Sequence, residues 1–157
     1  MNKKIILTSI LSVVVSTWLA NPVHSFTSEI NAIESVIENR VGTKVLWSNG
    51  HDLCKGDIYG FYNPEKDVVV MCQENHSFDY NELIGTLKHE GWHAVQHKCN
   101  NNKAALSDEL IRKHMDSRTR NVLHNYPHKQ HRSEAEARVV ENIPTKNWIS
   151  GVEFYCS

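Results

Sequence analysis

The run His89-Glu90-Gly91-Trp92-His93 places two imidazoles and a carboxylate within five residues. On an α-helix, positions i and i+4 stack on one face, so His89 and His93 can reach one metal ion together. Glu90 stands about 100° round the helix from His89, beside such an ion rather than on it. From there its carboxylate can hold a metal-bound water and take a proton from it during attack on a carbonyl.

That chemistry requires a helix, and the flanking residues supply one. Asp79 is a good N-cap, and Glu82 stands three residues on, as in a capping box. Ile84, Leu87, Gly91 and Val95 form an apolar stripe behind the two histidines. The run Asn100-Asn101-Asn102 stops the helix, which the pattern places over residues 80–98. Before it, residues 57–62 (DIYGFY) and 67–72 (DVVVMC) are rich in β-branched and aromatic residues. The turn Asn63-Pro64-Glu65-Lys66 joins them into a β-hairpin, and Trp47 with its neighbours can add a strand. Ile30, Ile33, Val36 (or Ile37) and Val41 recur at helical spacing, so a helix is expected over 28–40. Further helices are expected over about 107–123 and about 132–142, the latter ended by Pro144. The fold class expected is α+β: a hairpin or small sheet beside the histidine helix, with further helices C-terminal to it.

The motif, its helix and the preceding hairpin resemble the zincin metallopeptidases, over well under half of the mature chain. The resemblance implies a small zincin-like domain in which His89 and His93 bind Zn2+ and Glu90 is the catalytic general base and acid. It also implies that an extended peptide binds along a strand edge, for which strand 67–72 is the candidate. The longer metzincin motif is excluded, because Gln96 and Cys99 stand where that subclass has Gly and His. The gluzincin pattern takes its third ligand from a Glu on a later helix, often in an E-x-x-A setting. Glu134 with Ala137 fits that setting, although Arg138 stands where several such families have Asp or Asn. Glu136 is the alternative ligand, and Asp108 and Glu109 come after it. Each has an ordinary explanation too: an ion pair of Glu134 with Arg138, a capping box of Ser133 with Glu136.

Other residues carry less chemistry. His97 continues the series 89, 93, 97, but i to i+8 spans about 12 Å, too far for three ligands on one straight helix. Gln96 lies on the metal face and can hold a ligand in place. Tyr126, His128 and His131 sit in the loop before the Glu helix, where a transition-state stabiliser could enter. Trp92 lies off the ligand face and reads as core or pocket wall.

Composition bounds the setting. With 17 Lys+Arg against 18 Asp+Glu in 157 residues, no electrostatic case exists for a nucleic-acid partner. Residues 1–4 carry Lys3 and Lys4, and residues 5–20 carry no charge, which is the pattern of a secretory signal. Cleavage is expected after Ser25, leaving a domain over 26–157; a retained membrane anchor is the alternative. Removal of Lys3 and Lys4 lowers the basic count from 17 to 15 against 18 acidic residues. Four cysteines behind such a leader read as two disulfides in an oxidising compartment, secreted or periplasmic. Of the three pairings, Cys54–Cys72 is favoured because it closes the hairpin. Cys99–Cys156 then ties the tail to the central helix, each bond being worth about 3–4 kcal/mol in the chain-entropy model.

The expected function is that of a secreted zinc metallopeptidase acting on a peptide or protein, with no membrane partner once the leader is gone. Oligomeric state is not readable. The alternative is a non-catalytic, zinc-binding interaction protein. A deformylase-like amidohydrolase also uses HExxH, but it needs a Cys ligand in a Glu-Gly-Cys setting, and Cys54 stands in Leu-Cys-Lys.

Overall fold

The histidine helix is the axis around which the chain is built. In the computed structural model it is α2 (Tyr80–Lys98), and Asp79 caps it by accepting from the backbone N–H groups of Asn81 and Glu82. The structure describes residues 22–48, 50, 52–76 and 79–157, with side chains from Thr27 onward. The leader expected over residues 1–25 therefore lies outside the described residues, apart from positions 22–25 at the start of α1. The described residues form an α+β domain with six α-helices and a three-stranded sheet.

The elements, in chain order, are α1 (Pro22–Val36) continuing into a π-helical turn (Ile37–Val41), β1 (Lys44–Ser48), β2 (Gly60–Asn63), β3 (Val68–Cys72), α2, α3 (Asp108–His114), α4 (Ser117–Leu123), α5 (His131–Glu141) and α6 (Thr145–Tyr155). The sheet order is β1-β3-β2. β3 pairs antiparallel with β2, Phe61 opposite Val70, and parallel with β1, Leu46 opposite Val70. The expected hairpin is present, and the strand around Trp47 is β1. Strand 67–72 is not an edge: β3 is the central strand, and all five of its residues are buried. An unbroken Val/Met/Cys run fits a strand covered on both faces. The open edges belong to β1 and β2.

Val69 and Met71 face the main core, which Ile33, Ile37, Leu87, Trp92, Val95, Val140, Trp148 and Val152 fill from the helices. Val68, Val70 and Cys72 face the other way, against Cys54 and Phe61. The disulfides Cys54–Cys72 and Cys99–Cys156 are both present. The first holds the preceding loop over the outer face of β3. The second joins the C-cap of α2 to the end of α6.

Several boundaries differ from the sequence reading. The 107–123 segment is two helices, because Met115 is extended and Asp116 starts a new one by accepting from Thr119 N at 2.6 Å. The first helix starts earlier than residue 28, and the last helix, α6, has no counterpart in the expectation. Pro144 does end the preceding segment, but it also opens α6, where a missing N–H costs nothing. The asparagine run stops α2 as expected: Asn101 and Asn102 take φ +53° and +60°, a region Asn tolerates.

Two glycines set the spacing around α2. A Cβ on Gly91 would lie 2.6 Å from Ile37 Cδ1 and 3.2 Å from Trp148 Cζ2, so only glycine lets α1 and α6 pack here. A Cβ on Gly60 would lie 2.9 Å from Thr86 Cγ2 and 3.3 Å from Glu90 Cγ, so glycine lets β2 run close along α2.

Candidate metal centre

His89 and His93 leave α2 toward α5, the helix that packs most extensively against it. Their Nε2 atoms are 3.1 Å apart, with rings set edge to face. Glu134, in the first turn of α5, brings Oε2 to 3.4 Å from His89 Nε2 and Oε1 to 3.3 Å from His93 Nε2. The three donor groups lie within 4.8 Å of one another, close enough to share one ion.

The outer nitrogens explain why the inner ones converge. His89 Nδ1 lies 2.7 Å from Glu141 Oε2, and His93 Nδ1 lies 2.9 Å from Gln96 Oε1. Each imidazole donates its Nδ1–H outward, so its Nε2 lone pair is aimed inward. With both inner nitrogens unprotonated, two lone pairs and a carboxylate would face one another, an arrangement that a shared proton or a metal cation relieves. Glu134 Oε2 is buried and accepts no hydrogen bond, an orphan that coordination would satisfy.

The same demand for positive charge appears in the protonation behaviour of the metal-free cluster. Burial opposes charge on His89, but the carboxylates of Glu134 and Glu141 beside its two ring nitrogens outweigh it and hold the imidazole at about 10. His93 is raised as well: burial opposes this, while Glu134 and the charge of Glu90 overcome it. For Glu134 burial favours the neutral acid, yet the two imidazoles pull its carboxyl down to about 2. Among the described residues His89, His93 and Glu134 are the group able to hold a metal ion, and the donor set of two imidazoles and a carboxylate fits one.

Glu90 is close enough for its charge to act on both imidazoles. With His89 it lines an open polar cleft of about 700 Å³. One wall comes from the approach to β2 and the start of α2, including Tyr59, Gly60 and Glu82. The other comes from α4, α5 and the loop between them, including Arg118, Tyr126 and Arg138.

The remaining candidates fall into place. Glu136 is fully buried. It accepts from Gln96 Nε2 at 2.7 Å, from Ala105 N at 2.8 Å and from Leu106 N at 2.5 Å, so it clamps a loop and has no role as a ligand. Its expected capping box with Ser133 is absent, since Ser133 Oγ donates to Gln130 O. Asp108 pairs with Arg132, and Glu109 is exposed. Arg138 lies near Glu141 and forms no ion pair with Glu134. His97 Nδ1 meets the Tyr62 hydroxyl at 2.8 Å, tying α2 to β2. Trp92 is core, packed edge to face on Tyr155. His128 and His131 stack with each other at 4.6 Å outside the cleft, whereas Tyr126 lines it. Cys54 is committed to its disulfide, so it offers no thiolate to a metal.

Glu141 was not singled out from the sequence. The signal was its spacing: Glu134 and Glu141 are seven apart, two turns along one helix face. Any placement of Glu134 at the histidines therefore directs Glu141 toward α2 as well.

Comparison with protein-family models, with curated proteins and with solved structures finds no match to this chain. The described residues themselves define the class: an α+β domain with two disulfides and a two-histidine, one-glutamate centre able to hold a metal ion.

Proposed function

We propose that the chain is a zinc metallopeptidase of gluzincin type that works in a secreted or periplasmic setting. The observation that carries this reading is the convergence of His89, His93 and Glu134, with donor atoms within 4.8 Å of one another, beside a cleft that Glu90 also lines. His89, His93 and Glu134 would hold the zinc. When bound, zinc supplies Lewis acidity toward a carbonyl and makes a neighbouring water acidic. Glu90 accepts the proton of that water as it attacks the peptide carbonyl, then delivers it to the departing amine. Glu141 and Gln96 keep the two imidazoles in the tautomer that points Nε2 inward. The two disulfides suit an oxidising compartment, and no described helix is long and apolar enough to cross a membrane.

The test is metal analysis and hydrolysis of an unfolded protein substrate by wild type and Glu90→Gln. Wild type is expected to bind one zinc and to cut in a chelator-sensitive way. Glu90→Gln is expected to keep the zinc and lose at least about 100-fold in kcat. Zinc binding without hydrolysis in the wild type would favour the non-catalytic interaction protein instead.

A further inference from the structure

Arg138 lines the cleft from α5, one turn beyond Glu134, and part of its hydrogen-bonding capacity is unspent. A guanidinium carries five N–H donors. Glu141 Oε1 lies 3.7 Å from Nη1, a charge neighbour beyond hydrogen-bond reach, because Glu141 gives its other oxygen to His89. The Tyr126 hydroxyl accepts a hydrogen bond from the guanidinium. Nε is buried and has no partner. A purely structural arginine spends these donors on carbonyls and carboxylates, and a buried unpaired N–H needs an explanation. The neighbouring acid Asp116 is committed to capping α4 through Thr119 N. Arg118 adds a second cation to the same wall.

We propose that Arg138 anchors a carboxylate of the peptide in the cleft, so that the site takes chains with an acidic side chain or a free C-terminus near the bond at the metal. The proposal rests on the peptidase reading for what happens at that bond. A carboxylate matches the planar fork with two oxygens, where a single carbonyl would use only part of it. One helical turn is about 5.4 Å, or one to two residues of extended chain at about 3.3 Å each. The anchored group therefore lies within two residues of the metal-bound position.

The experiment measures binding in zinc-loaded Glu90→Gln protein, where turnover does not interfere. The probes are acetylated, amidated tetrapeptides differing only in glutamate against glutamine, and an acetylated tripeptide with a free C-terminus against its amide. A preference for the carboxylate form on the order of tenfold or more is expected in one pair, and that pair identifies the source. Arg138→Gln should abolish the preference, and Arg138→Lys, which keeps the charge without the fork, should retain part of it. If Arg138→Gln melts early, an undiminished preference in Arg138→Lys counts against the proposal. No discrimination in either pair, or discrimination that survives Arg138→Gln, overturns it, the metal then being the carboxylate's partner. Hydrolysis by wild type is scored separately. Discrimination without cutting breaks the peptidase reading alone, and cutting without discrimination breaks this proposal alone.

Discussion

Glu134 and Glu136 stand two residues apart on α5, yet their surroundings are opposite in kind. Glu136 is sealed from solvent, and its oxygens are met by N–H donors from Gln96, Ala105 and Leu106. Glu134 faces the Nε2 atoms of two imidazoles at 3.3–3.4 Å, and its Oε2 has no hydrogen-bond partner. Gln96 links the two regions by donating to Glu136 and accepting from His93. A carboxylate whose acceptors are all filled by N–H groups is scaffold, and one surrounded by other acceptors is waiting for a cation. Burial alone would have chosen the wrong glutamate.

The largest effect should come from the scaffold side. Glu136→Ala strands the N–H groups of Ala105, Leu106 and Gln96, and should cost about 3–5 kcal/mol of unfolding free energy. Denaturant titration of chelator-treated protein measures this, and Glu134→Ala should cost clearly less under the same conditions. Equal losses would break the contrast.

On the metal side, Glu134→Gln should weaken zinc binding by roughly 100-fold or more, beyond the range typical of supporting residues. Chelation should accordingly lower the melting temperature of wild type and leave that of Glu134→Gln unchanged, because a ligand stabilises only the state that binds it. Glu141→Gln sharpens the comparison further. It keeps a group beside His89 but weakens the hold on its tautomer, so zinc affinity should fall by about 10–100-fold without loss of fold. A zinc titration against a competing chelator reads both variants.

The smallest effect is a pH dependence of the metal-free protein. His89 is raised to about 10 from an ordinary 6.5, so its contribution to stability is complete below pH 6.5 and is lost as the pH climbs toward 10. Glu134 is lowered to about 2 from 4.5, so its contribution is present above pH 4.5 and is lost as the pH falls toward 2. The cluster should therefore favour the fold most between pH 4.5 and 6.5, and Glu134→Gln should flatten both limbs in chelator-treated samples. Zinc affinity should rise with pH across the alkaline limb, since the imidazoles must shed protons to bind metal.

What the sequence determined by itself was local. The i, i+4 spacing of His89 and His93, the Asp79 cap, the Asn100–Asn102 stop and the hairpin turn at 63–66 are each written within a few residues, because helix and turn geometry repeat over that range. Two disulfides were readable from the even cysteine count. Glu134 was legible only through a family resemblance. Its separation from Glu136 was left to tertiary structure, because two residues along a helix swing a side chain by about 200° and only the packing of α5 on α2 selects the face. The same holds for the central place of β3, since strand order depends on which neighbour the chain returns to, and a buried apolar run does not state that. Helix α6, the break at Met115 and the pairing of Glu141 with His89 belong with these. Each depends on groups brought together from distant parts of the chain, where the short-range periods of helix and strand no longer carry information.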